Sequence, residues 1–361
     1  MSEEKLNEYL TLASETEKLP KVHPDFPALG GDLKTQAEDF VVDEELPYEL
    51  SGEGEHLFIQ VTKKNMTTLD LQQEISDRLN IPKISVGFAG LKDKVGVTTQ
   101  WFSLPCPIKD DADAFMVRLG EGDHWQVKQY NRHINKLKTA HVKTNAFDIV
   151  LRNCNPISNE TLQNIADKIL NQGYLNAFGN QRFGRYKDNA HAGLQVILGK
   201  KRMRKGNKRQ LLCNAFQSAL FHVWIMKRHE LGALNDILPG DVVQKVETNG
   251  MFEVEEENFA NEKARFDAGE LYLTGPIFGF KMRQGEGAGA NIENEILTEF
   301  GINKQQLKQL RLTGTRRALL ERPHTLKVEL LDEHTQRWQF SLNSGTYATM
   351  LFSELGIKVK G

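Results

Sequence analysis

The stretch Ser85-Val86-Gly87-Phe88-Ala89-Gly90-Leu91-Lys92-Asp93-Lys94-Val95-Gly96-Val97-Thr98-Thr99-Gln100-Trp101-Phe102-Ser103-Leu104 reads as two apolar strands joined by a glycine-bracketed turn. One acid, Asp93, stands in that turn between two lysines. Nearby positive charge favours the ionised form of a carboxylate. Asp93 therefore reads as a nucleophile or base at the mouth of a sheet, where loops on a rigid scaffold carry chemistry. The competing reading is a solvated hairpin tip, because Asp and Gly are ordinary turn residues and charged side chains favour water. Lys92 and Lys94 either pair with Asp93 or bind phosphate. Adjacent residues on a strand point to opposite faces, so at most one of them shares the carboxylate's pocket unless the turn bends.

Working outward, Gln36–Glu45 reads as a strand, and the turn Ser51-Gly52-Glu53-Gly54-Glu55 leads into a second at His56–Val61. Thr67 followed by Asp70 resembles a capping box, and Leu71, Ile75 and Leu79 recur every fourth residue, which predicts a helix to about Asn80. Asn145–Leu151 alternates as a strand. Leu162, Ile165, Ile169 and Leu170 mark an amphipathic helix that ends near Gly173. Beyond Gly173 the composition shifts, and Leu211–Met226 is apolar nearly all round, as in a helix buried in a core of its own. Strand signals return at Thr325–Leu331 and Gln336–Leu342 as a hairpin, and Tyr347–Leu355 closes the chain as a helix stopped by Gly356. Strands on both sides of a helical middle predict an α+β protein, a mixed sheet interrupted by an inserted domain. Residues 1–30, with Pro20, Pro24, Pro27 and Gly30-Gly31, read as an irregular lead-in.

A chain of 361 residues that is 39% hydrophobic has core enough for two domains. No apolar run approaches the roughly eighteen residues that span a bilayer, and the first residues lack a signal-peptide layout, so a cytoplasmic location without membrane contact is expected. Cys106, Cys154 and Cys213 are too far apart for a zinc motif or a disulfide framework, so no metal is expected. The formal charge of −2 conceals segregation: seven of the eleven residues from Lys200 to Gln210 are Lys or Arg. Lys128, Arg132, Lys136, Lys138 and Lys143 form a second basic stretch, which together suggest a face made for a phosphate backbone rather than only solvated loops. Lys200, Lys201, Arg202 and Arg204 are candidate RNA contacts on that face. Arg182 and Arg185, in the loop Phe178-Gly179-Asn180-Gln181-Arg182-Phe183-Gly184-Arg185, are candidates for phosphate as well. Gly285–Asn291 is glycine-rich but lacks the lysine of a nucleotide-binding loop.

Six blocks, in order, resemble the TruD family of tRNA pseudouridine synthases: Ala37-Glu38-Asp39-Phe40, Ser51–His56, Phe88–Lys94, Asn145-Ala146-Phe147, Phe178–Gly184 and Ser344-Gly345-Thr346-Tyr347-Ala348-Thr349. The match runs from about residue 30 to the end. It implies a pseudouridine-synthase-type catalytic domain over 31–172 and 322–361, with a mainly antiparallel mixed sheet and flanking helices. It also implies an inserted α/β domain, the TRUD domain, over 173–321, and isomerisation of uridine at tRNA position 13 without a cofactor. By the same resemblance Asp93 is the catalytic residue, Phe40, Phe147 and Tyr347 line the uracil site, and Asn145 holds the uracil edge or ribose. Tyr347 stands where many family members carry Phe, so this chain adds a hydroxyl.

The chemistry suits one carboxylate. As the glycosidic carbon–nitrogen bond breaks, the sugar carbon becomes electron-poor, and Asp93 either attacks it or removes the neighbouring 2′ proton. The base must also leave its stack, at a cost of a few kcal/mol that aromatic stacking offsets. A glycoside hydrolase would need a pair of carboxylates at a set separation. The alternative from another class, a non-catalytic RNA-binding module on the same fold, would be expected to lack the acid at 93. A monomer whose partner is tRNA is expected.

Overall fold

The computed structural model describes residues 3–139 and 141–357. Their contacts gather into two compact units, Ala28–Gln172 with Arg322–Thr346, and Met1–Pro27 with Gly173–Glu321 and Tyr347–Gly361.

The first unit is built on a nine-stranded sheet. Its strands run in the order Thr325–Asp332, Thr335–Asn343, Thr144–Cys154, Phe40–Glu45, Val97–Pro105, His56–Lys64 and Trp125–His133, with two short strands paired off this path. Every pairing is antiparallel except Phe40–Glu45 on Val97–Pro105, which is parallel. Because side chains alternate across a strand, register decides which residues share a face. Phe40, Val42 and Glu44 lie opposite Ile149, Phe147 and Asn145, which in turn lie opposite Trp338, Phe340 and Leu342.

That face also carries helices at its two sides. The helix Thr68–Leu79 starts where Thr67 Oγ1 accepts the Asp70 N–H and stops at Asn80 in the left-handed region. It lays Leu71, Ile75 and Leu79 on Leu57, Ile59, Val61, Phe102 and Leu104, and each such side chain contributes roughly 1.5–3 kcal/mol by leaving water. At the other side, Asn159–Gln172 packs on Thr325–Asp332, where Gln163 Nε2 donates to the Val328 carbonyl. Between the two helices lie the strands holding Glu44, Asn145 and Phe147.

The second unit centres on the helix Asn207–Glu230, buried on nearly all sides as its sequence predicts. It packs against Leu271–Ile277 in a four-stranded sheet. A Cβ at Gly275 would come within 2.6 Å of Trp224, so only glycine allows that approach.

Three expectations change. The irregular lead-in contains a helix, Glu3–Ala13, with Leu10 and Ala13 fully buried and the segment packed on Asn207–Glu230. A helix this short is marginal alone and is made by its tertiary contacts, which is why a polar composition hid it. The apolar strand at Ser85–Ala89 shrinks to Gly87–Phe88 after a 3-10 turn at Lys83–Ser85. The closing helix, Ala348–Glu354, forms as predicted but gathers with residues 173–321 rather than with the sheet, so that the chain changes unit at Thr346–Tyr347.

Candidate active site

Asp93 sits in a wide loop rather than a tight hairpin turn. Gly87–Phe88 pairs with Phe102 and Ser103, so residues 89–96 form a loop that returns along the far longer strand Val97–Pro105. Buried side chains clamp the backbone of this loop. Gln100 Nε2 donates to the Gly90 carbonyl (3.3 Å), and Thr68 Oγ1 donates to Gln100 Oε1 (2.8 Å) while accepting the Lys92 N–H (2.9 Å). Lys63 Nζ donates to the carbonyls of Asp93 (3.0 Å) and Met66 (2.6 Å). At the exit, Gly96 has φ +141°, and a Cβ there would meet the Phe40 carbonyl at 2.7 Å. Buried polar groups with their partners in place rigidify what they hold, so these bonds restrain the loop backbone around Asp93.

Neither flanking lysine pairs with Asp93. Lys92 turns into the sheet, where its ammonium lies 2.6 Å from Glu44 Oε2 and donates to Asn145 Oδ1 at 2.7 Å. The Glu44 side chain is fully buried and also accepts the Trp101 N–H. A buried carboxylate needs a partner, and this requirement takes Lys92 away from both the acid and the RNA. Lys94 is exposed. The partner of Asp93 is Lys34, whose Nζ donates to Oδ2 at 2.7 Å and stands 4.0 Å over the centre of the Phe40 ring. A charge-assisted hydrogen bond of this length orients the carboxylate and leaves Oδ1 for a reactant. Lys34 itself has φ +59°, a conformation uncommon for a side chain larger than glycine.

Phe40 and Phe147 meet edge to face at 6.4 Å, and Phe147 stacks on Phe340 at 5.0 Å. Phe40 is buried, whereas Phe147 and Asn145 remain partly open. The Lys92 bond turns the acceptor of the Asn145 amide inward, so the NH2 end is what it can present. Asp93, Lys34, Phe40, Asn145 and Phe147 thus belong to one constellation in the first unit. The opposite face of the same strands has a shallow concavity of about 410 Å³ bordered by Val41, Asp43, Ala146, Asp148 and Gln339. Of the expected residues Phe147 also borders it, and Arg337 and Gln339 already hold its Asp148.

The remaining expected residues lie in the second unit. Tyr347 packs edge to face on Phe178 at 6.2 Å, and its hydroxyl accepts a hydrogen bond from Arg182 Nη2 at 3.3 Å. The hydroxyl that distinguishes Tyr347 from Phe thus has a use. Arg182 and Arg317 both approach the Phe178 ring, at 5.2 and 4.4 Å, and burial pushes Arg317 down to about 10. Arg185 is exposed against Tyr186. Lys200, Lys201, Arg202 and Arg204 are exposed in the connection between the helices Asn189–Ile197 and Asn207–Glu230. The second basic stretch is less available than expected. Arg132 bonds the carbonyls of Gly54, Cys106 and Asp110, Lys136 that of Ile84, and Lys143 pairs with Glu45.

Lys34, Lys63 and Glu44 escaped the sequence reading. The signal for Lys34 was faint, a lysine six residues before Phe40 just after a Gly-Gly pair. Among the described residues no group of His, Cys, Asp and Glu is placed to hold a metal ion, and no helix is long and apolar enough to cross a membrane.

A family model described as tRNA pseudouridine synthase D (TruD) matches residues 22–205 and 201–355. The chain is 32% identical over 353 residues to a tRNA pseudouridine synthase D of Thermus thermophilus, covering 96% of this chain and 94% of the relative. It is 34% identical over 344 residues to one from Anaeromyxobacter sp., covering 93% and 95%. Its fold matches the crystal structure of a Methanosarcina mazei protein described as tRNA pseudouridine synthase D, with a TM-score of 0.69 and 22% identity over 92% of this chain and 94% of the other.

Proposed function

Because the chain belongs to the TruD family of tRNA pseudouridine synthases, isomerases acting on RNA, we propose that it isomerises the uridine at position 13 of tRNA with Asp93 as the reacting carboxylate. The observation that carries this assignment is the Lys34–Asp93 pair, a carboxylate aimed by one ammonium from a loop whose backbone is clamped on both sides.

Oδ1 of Asp93 serves the ribose of a flipped uridine, bonding the anomeric carbon or taking the 2′ proton as the carbon–nitrogen bond breaks. The electron pair of that bond leaves with uracil. Uracil then turns and its carbon 5 joins the anomeric carbon, releasing Asp93 as a carboxylate on the first route or after it returns the 2′ proton on the second; the carbon 5 proton goes to solvent and N1 takes up a proton in exchange. No cofactor is needed, because bond breaking and bond making balance within the nucleotide. Phe40 and Phe147 offer aromatic surface to the extruded base, and Asn145 presents its NH2 to a uracil carbonyl or a ribose oxygen. On the family motif, Tyr347 contacts the same nucleotide. Arg182, Arg185, Lys94 and the Lys200–Arg204 run supply positive charge for the tRNA backbone.

Incubation of the protein with tRNA labelled with tritium at uridine carbon 5 tests this reading. Release of one tritium per tRNA, with pseudouridine mapped to position 13, is the expected result. Binding without release would instead assign a non-catalytic RNA-binding module, and release mapped elsewhere would refute the position.

A further inference from the structure

We propose that Lys63 is a positioning residue for Asp93, with its buried ammonium fixing the backbone of the nucleophile and supplying the positive charge against which the carboxylate's charge rises and falls. This rests on the reading of Asp93 as the reacting group. Lys63 lies near the end of His56–Lys64, a strand whose other buried positions include Leu57, Phe58, Ile59 and Val61, and it is itself only 1% exposed. An apolar residue would pack there without desolvating a charge, so the ammonium must repay a large penalty. Its two hydrogen bonds go to carbonyls, those of Met66 and Asp93, and among the described residues no carboxylate lies within ion-pair distance of it. Asp93 is nevertheless the stronger of the two negative charges that support it, ahead of Asp70 from the helix Thr68–Leu79. Opposing them is Lys92 from the loop, while Lys34 holds the far side of the Asp93 carboxylate. The residues opposite Lys63 on the adjacent strands, Thr98 and Trp125, carry no charge.

This arrangement couples the lysine to the reaction. When Asp93 Oδ1 bonds the anomeric carbon, or takes the 2′ proton, its negative charge is lost, and it returns when pseudouridine forms. The lysine that bonds the Asp93 carbonyl keeps the loop in place through both states, which Lys34, bonded to the changing carboxylate, cannot do alone. Burial, acting first, lowers the ammonium of Lys63 to about 8, with Asp93 resisting the shift and Lys92 adding to it. The charged form is therefore present below about pH 8 and is lost as pH rises through that value.

The test is single-turnover tritium release from saturating protein on carbon-5-labelled tRNA, with tRNA affinity and melting temperature measured in parallel. Lys63→Met should slow release by about 100-fold, the size of effect a small misplacement of a reacting group produces, with affinity within about threefold of wild type. The wild-type rate should fall above about pH 8, and Lys63→Arg, which stays charged, should lose that alkaline limb. A Lys63→Met protein within about threefold of the wild-type rate would overturn the proposal, as would a wild-type rate level from pH 7 to 9.5. If Lys63→Met fails to fold, the wild-type and Lys63→Arg profiles decide. Asp93→Asn runs as the control. Turnover by that variant defeats the reading of Asp93 itself, whereas a dead Asp93→Asn beside a fast Lys63→Met defeats only the role of Lys63.

Discussion

Two charged stretches stand out in this chain, Lys92-Asp93-Lys94 and the run from Lys200 to Arg209, and they treat their charges in opposite ways. In the first, side chains from three separate elements fasten the backbone of the loop, and Lys92 is taken by a buried glutamate. In the second, Lys200, Lys201, Arg202 and Arg204 are exposed in the connection between two helices. A reacting carboxylate must be held to within a fraction of an ångström, which demands desolvated partners. Attraction to a phosphate backbone acts over a Debye length, about 8–10 Å, and tolerates mobile side chains. Density of charge in the sequence therefore does not distinguish chemistry from attraction; the connections of the backbone do.

The sharpest way to break this comparison is Asp93→Asn. Tritium release should fall by about 10³-fold or more with tRNA affinity within about threefold, because the substitution removes chemistry and no phosphate contact. Release above one-tenth of wild type would show that Asp93 does not react. Next comes Lys92→Met, which leaves Glu44 buried and unpaired and should cost about 3–5 kcal/mol of stability by denaturant unfolding. Adding Glu44→Met should recover most of that loss, and an unaffected midpoint in the single variant would mean that the pair does not hold the loop. Lys34→Met should lower the single-turnover rate by about 100-fold at saturating tRNA, since the carboxylate loses its orienting partner.

In the other region, Lys200→Glu with Lys201→Glu should weaken tRNA binding by about tenfold and make its dependence on salt shallower, while the rate at saturation stays put. An unchanged salt slope would exclude that run from the interface. The smallest effect concerns His222, which accepts the Phe178 N–H through Nε2 and donates from Nδ1 to the Ala13 carbonyl. These partners require the neutral ring, and burial lowers it to about 4 from 6.5. The unfolded chain then takes up the proton first, so stability from this group is complete above pH 6.5 and is lost as pH falls toward 4. Comparison of wild type with His222→Gln by thermal melting should show a gap of a few degrees that changes over that interval, and a constant gap would reject the assignment.

Much of this was legible in the residues. The helix Thr68–Leu79 announced itself through its cap and its fourfold spacing, the hairpin 325–343 through alternation, and the buried helix 207–230 through an apolar surface all round. Local rules produce such elements, so local patterns reveal them. The site residues Phe40, Asp93, Asn145 and Phe147 came from motif resemblance, and register on neighbouring strands brings three of them to one face. Lys34 was illegible because its partner lies 59 positions away and its own backbone conformation breaks the usual preference. The helix Glu3–Ala13 was missed because a buried partner, rather than its composition, makes it stable.

By itself, the sequence determined that one acid would stand between two lysines in a turn beside a sheet, within an α+β chain of the TruD type. Only the tertiary structure decided which cation holds that acid. Lys92 was the neighbour in sequence, but the buried Glu44 claimed it, and Lys34 from a distant bend took its place. The physical reason is desolvation: a buried charge must find an opposite charge or hydrogen-bond partners wherever the fold puts it, and this need outweighs adjacency along the chain.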